Sequence, residues 1–295
     1  MSDSNNQEEI KGILNNAKVI IKKIQDIRKR KLLVFVTEAS ININVCHLFT
    51  KVIRRIAKNE PIDVFIESFG GEIDHTAKIV KLLVSYCREF DALIPCYAKS
   101  AATLLALNAK KLIMCRPAEL GPVNPIVRDP ATGLFFPAHS IGDALEFIQQ
   151  TEDPIIKVSL TDKLNPLLIG AYRDVEHAGK QYLEETLEGI ENSDKIVETL
   201  ATKYRSHGYP IDRDQIKNLL PEKIIFPDED LEKKLLDLHE LYMDYILVAI
   251  GDHLVIQTEN ISLVYVDGRK VISDMSDASA TDDVANSSFK KEKVP

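Results

Sequence analysis

Two segments of the chain decide the fold: PIDVFIESFGGEID at residues 61–74 and IPCYAKSAATLLAL at residues 94–107. In the first segment, the apolar residues 64–66 predict a strand that ends at Gly70 and Gly71. Glycine has no Cβ atom, so the backbone can turn sharply there and present its N–H groups to a ligand. The first segment therefore predicts a strand followed by a ligand-facing turn.

The second segment repeats this plan with a serine. Residues 94–98 are strand-like, Ser100 follows at the strand end, and residues 101–107 are a run of strong helix formers. The pattern predicts that the Ser100 hydroxyl and the Ala101 N–H group lie together at a helix N-terminus.

This combination of groups suits acyl chemistry. A serine that attacks a carbonyl needs hydrogen-bond donors aimed at the oxygen that becomes negative, and N–H groups at a helix start and a glycine turn can supply them. We therefore predict Ser100 as a nucleophile, with an oxyanion hole formed near Gly70, Gly71 and Ala101. The competing interpretation is that Ser100 is only a helix N-cap, a position that serine often occupies.

Apolar strands alternate with amphipathic helices on both sides of these segments. This order predicts an α/β fold with a parallel sheet and right-handed crossovers. Active sites in such sheets lie beyond the carboxyl ends of the strands, where the glycine turn and Ser100 both fall. The helices are predicted at residues 8–30, 44–57, 73–90, 101–107, 141–150, 166–191, 194–205, 213–219 and 228–246, with hairpins around 128–136 and 264–272.

Three motifs together resemble the serine dehydrogenase proteinase (SDH) family, which has the Clp protease/crotonase fold and is related to signal peptide peptidase A. The motifs are Phe-Gly-Gly at residues 69–71, Ala-Lys-Ser-Ala-Ala-Thr-Leu at 98–104 and Leu-Gly-Pro-Val-Asn-Pro at 120–125. The chain departs from the family pattern in having Ala-Ala after Ser100, Phe69 for a usual proline and Asn124 for an aspartate.

The resemblance spans roughly residues 25–246 and implies a Clp/crotonase-like fold: a mostly parallel sheet with βαβ units and a helical C-terminal portion. We divide the chain into an N-terminal helix (1–30), a protease domain (31–250), a short β-hairpin extension (251–272) and a tail predicted to be disordered (273–295). The resemblance also implies a homo-oligomer built through the helical portion. An apolar stripe on the predicted helix 228–246 agrees with that and comprises Leu231, Leu235, Leu238, Leu241, Tyr242 and Tyr245.

Composition excludes several classes of protein. A net charge of −8 and a pI near 5.5 argue against a nucleic-acid partner. The four cysteines form no Cys-x-x-Cys pair, so neither a disulfide framework nor a zinc site is predicted, and no cofactor is expected. No apolar run approaches the roughly 18 residues of a membrane span, and we expect a cytoplasmic protein.

A serine nucleophile needs a base within hydrogen-bond reach, and the sequence leaves its identity open. His139 has a suitable intrinsic pKa, whereas Lys163 lies roughly where the resembling signal peptide peptidases carry their lysine. Lys99 is disfavoured because adjacent residues at a strand end point to opposite sides. The other candidates are Lys157, His75 and His207; the last stands in a His-Gly-Tyr-Pro-Ile segment, at residues 207–211, similar to one of the SDH family.

The leading hypothesis is an ATP-independent serine peptidase that cleaves extended or unfolded polypeptides, bound beside the glycine turn by β-addition. No Walker motif is present, so any unfolding of substrate would depend on a regulatory or unfolding partner. The alternatives are a catalytically inactive oligomeric scaffold or adaptor and a crotonase-like acyl-thioester enzyme.

Overall fold

The computed structural model describes residues 2–56, 59–129, 132–248 and 253–275. The helices are α1 (Ser2–Arg28), α2 (Ile43–Ile56), α3 (Ile73–Tyr86), α4 (Ala101–Leu107), α5 (Ser140–Gln150), α6 (Pro154–Thr161), α7 (Pro166–Thr186), α8 (Ser193–Glu198), α9 (Arg213–Leu219) and α10 (Glu229–Val248), with a π-helical turn at Thr199–Lys203. The strands are β1 (Lys31–Thr37), β2 (Pro61–Ser68), β3 (Glu89–Ile94), β4 (Tyr97–Ala98), β5 (Leu112–Met114), β6 (Glu119–Leu120), β7 (Ile126–Arg128), β8 (Phe135–Pro137), β9 (Ile211–Asp212), β10 (Ile224–Ile225), β11 (His253–Gln257), β12 (Ile261–Val266) and β13 (Arg269–Met275).

The central sheet has the order β10-β5-β3-β2-β1-β11-β12-β13. Its first five strands in that order are parallel, and β11, β12 and β13 continue it in antiparallel fashion. Strands β1 and β2 are buried along nearly their whole length, as expected for parallel strands covered on both faces. The predicted α/β fold with a mostly parallel sheet is confirmed.

Helices cover both faces of the sheet. Leu33 and Phe35 of β1 pack in the larger apolar cluster, which contains side chains of α2, α3, α4, α7, α8 and α9. Leu32 and Val34, the alternate residues of β1, pack in a second cluster with side chains of α1 and α10. This alternation follows from the two-residue period of a strand, and it assigns the serine-bearing helix α4 to the first face.

A short tier of strands continues the sheet beyond the carboxyl ends of the main strands. β4 pairs with β2 through Ala98 and Ser68, and it also pairs with β6, which in turn pairs with β9. The backbone N–H of Lys99 donates to the Ser68 carbonyl at 2.9 Å. These bonds place the two turns of interest side by side.

The hairpins agree with the turn signals in the sequence. β7 and β8 pair in antiparallel fashion around the predicted turn, and β12 and β13 pair around Asp267 and Gly268, both at positive φ. Within the predicted extension at 251–272, strand β11 pairs with β1, so the described part of this segment continues the central sheet. Strand β13 also runs to Met275, so 273–275 is ordered rather than tail, and the remaining tail lies outside the described residues.

The sequence suggested that helix α10 presents its apolar stripe to a second chain. The structure instead buries that stripe within this chain. Leu235, Leu238 and Tyr242 are fully buried within this chain, where they pack with Ile21 and Ile24 of α1. The stripe is therefore used in the second apolar cluster. The reason is that a stripe's spacing shows that a helix face is buried but does not show against which neighbour.

Candidate active site

The glycine turn and the serine turn are in direct contact. Gly70 has φ +95°, and a Cβ atom built on it would lie 2.6 Å from the carbonyl oxygen of Lys99 and 2.9 Å from the nitrogen of Ala101. Real Cβ atoms do not approach backbone atoms so closely. Glycine is thus required at position 70 for the strand β2 to end against the start of helix α4.

Ser100 adopts a backbone conformation that non-glycine residues rarely use, with φ +53° and ψ −123°. It occupies the N-cap position of α4, yet its hydroxyl makes no capping hydrogen bond. Capping, the competing interpretation of this serine, therefore does not account for it. A strained strand-to-helix turn that leaves a serine hydroxyl unbonded is instead typical of a nucleophile.

Two backbone N–H groups beside Ser100 remain available to a ligand. Within the described residues, neither Gly71 nor Ala101 donates its N–H to a protein acceptor, whereas the Gly70 N–H donates to the Ser68 hydroxyl at 3.0 Å. The oxyanion donors that the geometry supports are therefore Gly71 and Ala101. Gly70 contributes the close approach of the backbone rather than its own N–H.

Buried hydrogen bonds hold the serine turn in place. The Thr103 hydroxyl, completely buried, donates to the Ala98 carbonyl at 2.7 Å and accepts from the Gly121 N–H at 3.0 Å. The Lys99 ammonium lies 2.5 Å from a Glu119 carboxylate oxygen, and its side chain is almost fully buried. The Lys99 ammonium is thus engaged by Glu119.

A cavity of about 770 Å³ opens in front of the serine. Its wall includes the serine turn and the glycine turn together with apolar side chains. Among these apolar side chains, Phe69 and Phe135 are 56% and 71% exposed. The lining residues are Glu38, Ser40, Phe69, Gly70, Gly71, Glu72, Ile73, Asp74, Ser100, Ala101, Val123, Asn124, Pro125, Ile126, Phe135, Val175, Ala178 and His207.

His207 and Asn124 form a pair within this cavity. The Asn124 Oδ1 atom lies 2.7 Å from His207 Nδ1, while Asn124 Nδ2 faces the Tyr204 carbonyl at 3.4 Å. Because that carbonyl can only accept, the amide nitrogen belongs on its side, and Oδ1 must accept from a protonated Nδ1. His207 therefore carries its unprotonated nitrogen at Nε2, as a general base requires.

Burial and the nearby positive charge of Lys99 both lower the pKa of His207 below its ordinary value of 6.5. The hydrogen bond with Asn124 acts in the opposite direction but does not outweigh them. The imidazole is consequently neutral at neutral pH, which is the form that accepts a proton from a serine.

The other predicted base candidates lie elsewhere. Among the described residues, the wall of the serine cavity includes none of the four. His139 lines a neighbouring cavity of about 440 Å³, and Lys163 is an exposed residue between α6 and α7. Lys157 donates to the Gln149 carbonyl at 2.9 Å, and His75 Nδ1 lies 2.7 Å from a Glu72 carboxylate oxygen.

From the sequence, His207 was one of several candidate bases, and Asn124 was only a departure from a motif. The two residues are 83 positions apart, so no local spacing could pair them. The signal in the sequence was that Asn124 and His207 both stand in segments similar to SDH-family motifs. This similarity singles out the two residues but does not show that they are in contact.

A mostly parallel sheet covered by helices on both faces, with a serine turn packed on a glycine turn at the strand ends, defines a Clp-like α/β protein. The chain belongs to the family of ClpP-like SDH-type serine proteinases, whose model matches residues 14–251.

Two uncharacterised proteins of Methanocaldococcus jannaschii are similar in sequence. One is 32% identical over 169 residues, 57% of this chain and 55% of its own length. The other is 26% identical over 193 residues, 65% of this chain and 60% of its own length. The chain thus spans less than two thirds of the length of these relatives.

Solved structures with a similar fold include proteases. The 1510-N membrane-bound stomatin-specific protease has a TM-score of 0.45 at 15% identity, over 70% of this chain and 84% of that one. ClpP1 from Listeria monocytogenes has a TM-score of 0.41 at 13% identity, over 67% and 94% of the two chains. In the part of this chain that the structure describes, no helix has both the length and the apolar character needed to cross a membrane.

Proposed function

We propose that the protein is a serine peptidase in which Ser100 is the nucleophile and Gly71 and Ala101 supply the oxyanion hole. The observation that carries the proposal is the Ser100 turn itself: a strained residue with an uncapped hydroxyl, beside two N–H groups that donate to no described residue. Preorganised donors of this kind stabilise the negative charge that develops on a carbonyl oxygen under attack.

His207 acts as the general base in this proposal. Ser100 Oγ attacks the carbonyl carbon of the scissile peptide bond, and its proton passes to His207 Nε2. The oxyanion binds the Gly71 and Ala101 N–H groups, the C–N bond breaks, and the amine leaves with the proton from His207. Water then adds to the acyl-enzyme ester by the same steps in reverse, which releases the acid and regenerates the Ser100 hydroxyl. Asn124 holds the imidazole in the required tautomer.

His207 is preferred over Lys163 and His139 because it shares a cavity with Ser100, is held through Nδ1 and is neutral at pH 7. Geometry takes precedence over intrinsic pKa in choosing a base, since a proton moves only within hydrogen-bond reach. The lysine suggested by resemblance to signal peptide peptidases is exposed in this chain.

The substrate class follows from the shape and chemistry of the cavity. Its large open volume and the exposed rings of Phe69 and Phe135 suit an extended polypeptide with apolar side chains. Such side chains are accessible in unfolded protein and hidden in folded protein. The sequence has no Walker motif, and in this proposal an unfolded substrate is cleaved without ATP, whereas a folded substrate requires an unfolding partner.

The proposal includes assembly of several copies through the helical portion. Helices α5 and α6 have no fully buried side chain, although both are rich in apolar residues. Exposed apolar side chains on this scale mark a protein interface. Ile155, Ile156, Val158, Phe147 and Leu167 are all more than half exposed.

The base assignment is tested with a fluorophosphonate probe, which reacts with activated serines. His207→Ala should slow labelling by at least about a hundredfold, the usual effect of losing a general base. His139→Ala and Lys163→Ala serve as matched controls and should label at the wild-type rate. A slow His139 or Lys163 variant together with a normal His207 variant would transfer the role of base to that residue.

The substrate assignment is tested by incubation with one protein in its folded and its reduced, unfolded form, without nucleotide. Wild-type protein should cleave only the unfolded form, and Ser100→Ala neither. Cleavage of the folded form at the same rate would contradict the substrate class, and undiminished cleavage by Ser100→Ala would contradict the nucleophile.

A further inference from the structure

A cluster of metal-ligand side chains lies behind the proposed active site, on the opposite face of the sheet. Glu67 is near the end of β2, Cys96 lies between β3 and β4, and His239 is on α10. One ligand atom from each side chain lies within 4.8 Å of the other two. Glu67 shares a face of β2 with Phe65, which packs in the α1 and α10 cluster.

The Glu67 carboxylate lies in the interior beside His239. The side chain is completely buried, and its oxygens face the backbone N–H groups of Cys96 and Tyr97 and the His239 imidazole. The Nδ1 atom of His239 lies 3.3 Å from a Glu67 oxygen. A buried carboxylate is costly unless a positive charge balances it, and either protonated His239 or a cation held by all three side chains could supply that charge.

From this arrangement we propose that Glu67, Cys96 and His239 bind a zinc ion. In a tetrahedral zinc site with Zn–N and Zn–O bonds of about 2.0–2.2 Å, ligand nitrogen and oxygen atoms are about 3.3–3.5 Å apart. The observed separation of 3.3 Å between His239 Nδ1 and Glu67 Oε2 fits that geometry. The cysteine sulfur selects zinc over magnesium or calcium, which prefer oxygen ligands.

A proton competes with zinc for the ligand atoms of this cluster. Burial lowers the pKa of His239, but Cys96 and Glu67 outweigh it and raise that pKa to about 10. Zinc must therefore displace a proton shared by the cluster, as it does from other thiol and imidazole ligands. Cys96 is half-buried and His239 is 16% exposed, so the cluster is reachable from solvent.

The bound ion would help to hold the glycine turn and the serine turn of the active site in place. Glu67 is three residues before Gly70, and Cys96 is four residues before Ser100. One zinc ion would tie the ends of the strands that carry the oxyanion turn and the nucleophile to helix α10. Three protein ligands would also leave a fourth position for water.

The test is a cobalt(II) titration of the untagged full-length protein, because cobalt replaces zinc and reports a thiolate ligand by its charge-transfer absorption. Wild-type protein should take up one cobalt ion per chain, show the thiolate band and lose it when zinc is added. Cys96→Ser should lose the band, and His239→Gln should weaken cobalt binding by more than about a hundredfold, beyond the 10–100-fold effect of a residue that only supports a ligand. Circular dichroism checks that each variant is folded.

Cys46→Ser and His47→Gln on α2 are the matched controls, since they remove a buried cysteine and an exposed histidine away from the cluster. Both should bind cobalt as the wild type does. The proposal is overturned if wild-type protein binds no stoichiometric cobalt, or if Cys96→Ser keeps the band. In the first case the cluster is a protonated ion pair of His239 and Glu67; in the second the thiolate ligand is another cysteine.

Discussion

At the scale of single residues, Asn124 fixes the tautomer of the proposed base, His207. It stands where the resembling SDH family has an aspartate, and it is buried against His207. An amide oxygen can fix the imidazole tautomer but adds no negative charge. The pKa of His207 therefore stays below its ordinary value, and the neutral imidazole is the active form.

The pH dependence of labelling follows from this arrangement. His207 gains a proton only when the pH falls through its lowered pKa, so the fluorophosphonate labelling rate should be level above about pH 6.5 and fall below it. A rate that keeps rising between pH 7 and 9 would indicate a lysine base instead.

Asn124→Asp should raise the pKa of His207 by roughly 1–3 units, because a carboxylate favours the charged imidazole. The acid limb of the labelling profile should move to higher pH by the same amount. Asn44→Asp adds an equal charge on the exposed surface of α2 and should leave the profile in place. An unmoved profile in Asn124→Asp would mean that this imidazole is not the group that titrates.

At the scale of elements, strand ends and turns were the most predictable part of the molecule. Glycine pairs, a serine ahead of an alanine-rich run and unbroken apolar strands are local signals, and the β-α-β series around them was predicted from those signals alone. Helix α6 was missed although Asp153 and Pro154 mark its start, where the Asp153 carboxylate accepts from Ile155 and Ile156. The joining of His207 to Asn124 could not be predicted, since it depends on how distant loops pack.

The contact of the two turns gives a direct prediction. Gly70→Ala should reduce labelling on the order of a hundredfold, because the new Cβ would collide with Lys99 and Ala101 backbone atoms and so displace the Gly71 and Ala101 donors from the oxyanion position. Gly170→Ala on α7 is the control, as nothing lies within 4 Å of its Cβ position. It should keep full activity and gain about 0.5–1 kcal/mol in unfolding free energy, measured by denaturant titration. Equal activity in both variants would contradict the oxyanion assignment.

At the scale of the whole molecule, α1 is part of the core rather than a separate N-terminal element. Its apolar face packs with α10, and Arg28 at its end donates to Asp63 at 2.8 Å and to Asp91 at 2.7 Å on the strands β2 and β3. The predicted interface on α10 is therefore buried within the chain, and the proposed assembly uses the exposed apolar side chains of α5, α6 and the start of α7 instead.

Assembly through that surface is tested by light scattering at micromolar concentration. Wild-type protein should have a mass of several chains, and the double variant Ile155→Glu/Leu167→Glu should have the mass of one, since a charge at positions 80% and 84% exposed in the single chain would be buried in the assembly. Val84→Glu on α3, at a site 65% exposed, should leave the mass unchanged. A wild-type mass of one chain would contradict the assembly.

The most direct test of the central claim is the site of fluorophosphonate labelling, read by mass spectrometry of the intact protein and of its peptides. Wild-type protein should gain one probe per chain, attached to Ser100. Ser100→Ala should gain none, and its unfolding free energy should lie within about 1 kcal/mol of the wild type because no capping hydrogen bond is lost. Folded wild-type protein that never labels, or a Ser100→Ala variant that labels as well as the wild type, would contradict the account.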